Sequence, residues 1–171
     1  MENTERPSIF IGLGANLDHP TYGAPRRVLE AALAELGRRG VSVRRVSPWY
    51  RTAPVPASDQ PWYFNAVAEI SANLSADQLL AELHAVEDQF GRVRSVPNAP
   101  RIIDLDLLDF RGEIAPGGLG KAILPHPRLI DRAFVLRPLA DLAPNWRHPR
   151  TGAAIQSLLL ALPADQITER L

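Results

Sequence analysis

An α+β sandwich, in which a mainly antiparallel sheet is flanked by helices, is the fold class this sequence predicts. Short apolar or alternating stretches that read as strands are interleaved with longer stretches whose apolar residues recur at helical spacing. Their order is strand, helix, strand, strand, helix, strand. At 171 residues, 46% hydrophobic and 22% charged, the chain suits a single domain over 1–171 with its own core, led by a flexible segment over residues 1–7.

The first strand is read over Ser8–Gly14, where an apolar run enters a Gly-rich turn around Gly14 and Asn16. From Arg26 onward Val28, Leu29, Ala32, Leu33 and Leu36 recur at helical spacing, and Gly37 and Gly40 close the helix. Alternation over Val41–Val46 predicts a second strand, continued through Trp49–Thr52 until Pro54 and Pro56 break it. A loop over Pro54–Pro61 leads to a third strand, Tyr63–Ile70. Ser75 and Gln78 then have the spacing of a capping box, and Leu79, Leu80, Leu83, Val86 and Phe90 form a helical stripe ending at Gly91. A fourth strand spans Ile102–Phe110, followed by a Gly/Pro-rich loop over Gly112–Gly120. Two further helices are read from Phe134 and from Ile155. The order is that of a ferredoxin-like sandwich, expected with its helices on one face of the sheet.

Composition restricts the chemistry. The 19 basic and 19 acidic residues balance, so there is no overall pull toward nucleic acid or an anionic membrane, and an anion site must be local. With 0 cysteines there is no disulfide, thiolate metal site or thiol nucleophile. The polar N-terminus and the absence of a long apolar run point to a soluble cytoplasmic protein, with a monomer as the default. Lys121 is the only lysine, so phosphate recognition would fall to arginine, whose planar fork grips phosphate through two bonds.

The strongest chemical signal is Asp104 and Asp106. On a strand, residues two apart share a face with Cα atoms roughly 6–7 Å apart. Ile103, Leu105 and Leu107 take the other face. Two carboxylates at that spacing repel by about 2–3 kcal/mol at an effective dielectric of about 20, which calls for a cation. Hard oxygen ligands suit magnesium, which fills its remaining positions with water and substrate phosphates. Alone, an Asp-x-Asp pair also fits a polar strand face. Arg92, Arg94 and Arg101 lie just upstream, and arginines beside carboxylate-bound magnesium are what phosphoryl transfer needs. They also fit simple ion pairs with the two aspartates. His126 and Arg132 form a second cluster, and Tyr63, Asn65 and Phe134 taken singly pass as core and turn residues. Gly12-Leu-Gly14-Ala-Asn16 lacks the third glycine of a dinucleotide fingerprint. Gly117-Gly-Leu-Gly-Lys121-Ala lacks the spacing and the Ser/Thr of a phosphate loop.

Taken in order, Gly12-Leu-Gly14-Ala-Asn16-Leu, Tyr50-Arg-Thr52-Ala-Pro54, Gln60 through Asn65, Gly91-Arg-Val-Arg94, Pro100-Arg-Ile-Ile-Asp-Leu-Asp-Leu-Leu108, Pro125-His-Pro127 and Arg132-Ala-Phe134-Val-Leu make a specific set. The set resembles the 6-hydroxymethyl-7,8-dihydropterin pyrophosphokinases from about Ile9 to Pro144. The resemblance implies transfer of the β,γ-diphosphate of ATP to a pterin hydroxymethyl group, with release of AMP, as a step of folate biosynthesis. It implies Asp104 and Asp106 as ligands of two magnesium ions, with Arg92 and Arg101 joining them as catalytic residues. Glu87, Arg92, Arg94, Arg101, Leu107, His126 and Arg132 would contact ATP. Tyr63 and Phe134 would sandwich the pterin, with Thr52, Val55 and Asn65 around its edge. His84, Ser95 and Asn98 stand where some members carry Gln, a basic residue and Trp. Two rivals remain at this level: another magnesium-dependent phosphoryl or nucleotidyl transferase, and a non-catalytic ferredoxin-like binding module. The RNP aromatics of an RNA-reading sheet are absent.

Overall fold

The structure, a computed structural model, describes residues 7–171, so residues 1–6 of the expected flexible lead lie outside the described residues. In chain order the elements are β1 (Ile9–Ala15), α1 (Pro25–Arg38), β2 (Val41–Val46), β3 (Tyr50–Thr52), β4 (Tyr63–Ala72), α2 (Ala76–Gln89), β5 (Asp104–Phe110), β6 (Ala115–Gly118), β7 (Lys121–Leu124), α3 (Ala133–Leu142), α4 (Ile155–Leu160) and β8 (Thr168–Arg170). A 3-10 turn at Leu129–Asp131 precedes α3.

The main sheet runs β5-β1-β4-β3-β8, with β2 also paired to β4. Its pairings are antiparallel, and β1 lies between β4 and β5. The chain crosses from β2 to β3 at Ser47–Trp49, where the expected continuous strand is interrupted. Pro48 has no N–H to give a ladder, and the Ser47 hydroxyl instead accepts from Val67 N at 3.0 Å. With β2 and β3 counted as one strand, the order is the ferredoxin-like one.

Helix α1 starts on Pro25, whose fixed φ suits a first turn, and buries Val28, Leu29, Ala32 and Leu36. The capping box of α2 is present, Gln78 N donating to Ser75 Oγ at 3.2 Å and Ser75 N to Gln78 Oε1 at 2.9 Å. Both helices cover one face of the sheet, packing on Ile9, Ile11, Leu13, Ala66, Ala68 and Leu105. The expectation of helices on one face only is corrected. Phe10, Val67 and Leu108 point the other way, and α3 covers them with Val135, Leu136 and Leu139, backed by Ile155 of α4. A strand apolar on both faces needs cover on both.

Three strands escaped the sequence reading. The Gly/Pro-rich loop contains half of the β6–β7 hairpin, where Gly117 has φ 82° and an added Cβ would stand 2.4 Å from Ile123 Cγ1. β8 pairs with β3 at the sheet edge, Thr52 opposite Thr168. The strand read from Ile102 begins at Asp104, and the last helix, read through Leu162, ends at Leu160. Among the described residues no helix is long and apolar enough to cross a membrane.

Candidate active site

β5 sets the geometry. Asp104 and Asp106 stand on the face opposite α1 and α2, and their partners on β1 are Gly14 and Gly12. Neither partner has a side chain, so the surface beside both carboxylates stays open. Gly14 cannot easily be anything else, because an added Cβ would lie 2.8 Å from Asn65 Nδ2. That amide donates to Leu13 O at 3.3 Å, and Thr52 Oγ1 donates to Asn65 Oδ1 at 2.6 Å, so Asn65 is fixed within the sheet.

Asp104 is held by the loop that precedes it. Its Oδ1 accepts from Arg92 Nη1 and its Oδ2 from Arg101 Nη1, both at 2.6 Å. Arg92 also donates to Glu87, and Arg94 Nη2 donates to Glu87 Oε1 at 3.1 Å. Glu87 is buried on α2, and its Oε2 also accepts from Leu105 N at 2.9 Å. Burial pushes the Glu87 carboxyl up, against the Leu105 bond and the charge of Arg92. One buried carboxylate thus joins a helix, the arginine loop and the acidic strand.

Asp106 has looser company. Arg132 Nη1 is 3.8 Å from one oxygen and His126 Nε2 is 4.0 Å from the other. Its carboxyl is pushed up to about 7, by burial first and then by Asp104, with Arg132 opposing. His126 Nδ1 accepts from Arg128 N at 3.1 Å, which assigns the ring proton of the neutral imidazole to Nε2, facing Asp106. Burial, and then the Arg132 charge, lower the His126 pKa to about 4, so the ring is neutral at neutral pH.

A cleft opens beside this cluster. Thr52, Val55, Tyr63, Asn65, Arg101, Asp104, Arg132 and Phe134 all line it, and a smaller hollow joins Asp104 and Asp106 to Phe134 across Gly12 and Gly14. Arg132 lies over the Phe134 ring, its Cζ 5.4 Å from the centroid. Of the residues expected to hold phosphate and metal, Arg101, Asp104, Asp106 and Arg132 therefore share a surface with those expected to hold a pterin, while Arg92, Arg94 and His126 do not line it. Leu107 lies apart from the site altogether. Its side chain lies in the core on the α1/α2 face, turned from the carboxylates by strand alternation. The Glu87 carboxylate is similarly engaged with Arg92, Arg94 and Leu105 rather than lining the cleft.

Asn16 and Gln60 were quoted in the motifs without a role, and both brace this site. Asn16 is buried; its Oδ1 accepts from Arg101 N at 2.8 Å, and its Nδ2 donates to Pro61 O at 2.9 Å. Gln60 Nε2 donates to Asn98 O at 2.6 Å, and its Oε1 accepts from Tyr63 OH at 3.3 Å. Together they tie the β1 turn, the loop before β4 and the arginine loop. For Asn16 the available signal was a polar residue just past a buried strand; Gln60, in the loop before β4, gave none. Arg128 and Asp131 also line the cleft and were not anticipated.

Among the described residues no three His, Cys, Asp or Glu side chains form a protein metal cage. Magnesium does not require one, since it uses one or two carboxylates and takes its other oxygens from water and phosphate. Asp106 suits such an ion, because its ionised form is disfavoured by burial and by a neighbouring carboxylate, a cost that a hard divalent cation removes.

Residues 10–144 match the family model described as 7,8-dihydro-6-hydroxymethylpterin-pyrophosphokinase. The chain is 40% identical over 164 residues to the 2-amino-4-hydroxy-6-hydroxymethyldihydropteridine pyrophosphokinase of Pseudomonas aeruginosa, covering 95% of this chain and 96% of that protein. It is 39% identical over 150 residues to the protein of the same name from Synechocystis, covering 87% and 73%. It matches the folic acid synthesis protein fol1 of Pneumocystis carinii at 35% over 153 residues, which is 90% of this chain but 20% of that longer protein. A crystal structure of Plasmodium falciparum HPPK-DHPS superposes with a TM-score of 0.63 over 94% of this chain and 43% of that one, at 10% identity, a likeness of fold. By the family model over most of its length and by near full-length relatives, the chain belongs to the 7,8-dihydro-6-hydroxymethylpterin-pyrophosphokinase family.

Proposed function

We propose that this chain, acting as one domain, transfers the β,γ-diphosphate of ATP to the hydroxymethyl oxygen of 6-hydroxymethyl-7,8-dihydropterin, releasing AMP, as a step of folate biosynthesis. One observation carries the reading. Asp104 belongs both to the arginine-bound carboxylate pair and to the wall of the cleft that Tyr63 and Phe134 line.

In this reading the flat pterin lies between Tyr63 and Phe134, with Thr52, Val55 and Asn65 at its edge. Asp104 and Asp106 hold magnesium, which when bound neutralises phosphate charge and aligns the triphosphate. Arg92, Arg94, Arg101, His126 and Arg132 receive the phosphates. The hydroxymethyl oxygen attacks the β-phosphorus while the bond from that phosphorus to the oxygen of the α-phosphate breaks, AMP departs with that oxygen, and the hydroxyl proton is released to water. The side chains contribute alignment and charge compensation rather than a strong base. The neutral His126 donates from Nε2 without adding positive charge, while Arg132 spans the carboxylate side and the Phe134 side.

The test is to incubate the protein with ATP, magnesium and the pterin and to separate the nucleotides. AMP formed in equal amount to pterin diphosphate is expected. ADP or a nucleotidylated product in place of AMP would mean a different transferase.

A further inference from the structure

We propose that Gln166, in the segment beyond the family-matched region, is a positioning residue that sets the place of Arg132 and Phe134 in the cleft. The inference rests on the cleft being the pterin and phosphate site.

Arg132 is an extended residue, φ −118° and ψ 110°, between the 3-10 turn at Leu129–Asp131 and helix α3. A single extended residue between two helical turns presents the carbonyl before it and the N–H after it without helical partners. Helix α3 has no side-chain cap of its own, since its N-cap position is Arg132. The Gln166 carboxamide bonds to both exposed groups. Its Nε2 donates to Asp131 O at 2.8 Å, and its Oε1 accepts from Ala133 N at 2.9 Å. A primary amide has the donor and acceptor side by side, so one side chain brackets Arg132 as a strand partner would.

The bracket would be of little use on a loose tail, but this tail is fixed. Residues 168–170 form β8 on the edge of β3, Ala53 N donates to Ile167 O at 3.1 Å, and Leu171 N donates to Trp49 O at 2.9 Å. Arg170 Nη1 lies 3.5 Å from Asp141 Oδ1 on α3, the carboxylate that also accepts from Tyr50 OH. Thr52 and Ala53 line the cleft from the end of β3, and Arg132 and Phe134 line it from the start of α3 and the residue before it. The tail thus joins two separate stretches of cleft wall, and Gln166 is its contact with the stretch that carries an arginine and an aromatic.

The family model ends at residue 144, so its match does not include this contact.

Two variants test the proposal in the full-length protein. Gln166→Glu is isosteric and keeps the acceptor for Ala133 N but loses the donor to Asp131 O; Gln166→Ala loses both. The expected result is a fall in kcat/KM for the pterin of about tenfold in each variant, because the Glu carboxylate sets an oxygen against Asp131 O where the Ala variant leaves only a gap. The pterin dissociation constant, measured without nucleotide, should rise with it, while Tm stays within about 3 °C of the parent. A parent that forms AMP while both variants keep its pterin affinity and kcat/KM would overturn the positioning role alone, as would a fall in Tm with unchanged kinetics. A parent that neither binds the pterin nor forms AMP overturns the functional reading and this proposal with it. If the Ala variant does not fold, the isosteric Glu variant decides, and parental kinetics in it count against the proposal.

Discussion

At Asp106 the carboxyl is pushed up to about 7, and that has consequences for stability and for turnover. Without added metal the folded protein holds a proton there across a pH range in which the unfolded chain, with an ordinary carboxyl near 3.8, has released it. The contribution is fully present below the unfolded value, and it is lost as pH rises through the folded one. Asp106→Asn removes that loss, so in chelator its melting temperature at pH 8 should equal or exceed the parent's, and the parent's decline between pH 4 and pH 7 should flatten. Its turnover with magnesium should nonetheless fall by at least about 10³-fold if the carboxylate holds the metal. A destabilised Asp106→Asn with parental activity would make the residue structural. The alternation of β5 and the upstream arginines made this pair legible in the sequence. The same alternation puts the Leu107 side chain in the core, away from the carboxylates, although the resemblance set it among the ATP contacts. Asn16 and Gln60 were not legible as braces, because their partners at Arg101 and Asn98 are brought to them only by the folded chain.

At the scale of elements, helix α2 does more than cover the sheet. Through Glu87 its last turns hold Arg92 and Arg94 and reach Leu105 N on β5, so the arginine loop is fastened to the acidic strand before any phosphate arrives. Glu87→Gln puts an NH2 among donors and leaves at least one of them buried without an acceptor, which costs about 2 kcal/mol. Tm should drop by roughly 4–8 °C and KM for ATP should rise several-fold, because Arg92 and Arg94 lose the group that orients them. An unchanged melting curve would show that this junction carries no load. The helical stripes of α1 and α2 and the capping box at Ser75 were readable because local pattern and tertiary role agree. β8 was not, since Thr168–Arg170 is short and polar and becomes a strand only because β3 offers it an open edge. The β6–β7 hairpin was hidden by its glycines and proline, whose composition reads as loop although Gly117 supplies the close approach to Ile123.

For the molecule as a whole, 19 acidic against 19 basic residues give no long-range attraction for a polyphosphate, so recognition depends on local groups that are already paired with one another. Both oxygens of Asp104 are bonded to arginines, and Arg132 leans toward Asp106. A magnesium ion approaching the carboxylates alone meets those guanidinium groups, and a triphosphate approaching the arginines alone meets the carboxylates. Each ligand relieves the obstacle to the other, so their binding free energies should be coupled, and equally in both directions. Thermal melting tests this with α,β-methylene ATP, whose bridge to the α-phosphate is not cleaved. Magnesium at about 5 mM or the analogue alone should raise Tm by no more than about 1 °C, and the two together by about 5 °C or more. Shifts that merely add would mean that the aspartates and arginines do not exchange partners. The same titration on Asp104→Ala should lose the excess, because that variant frees Arg92 and Arg101 in advance and takes away the carboxylate with which magnesium would replace them.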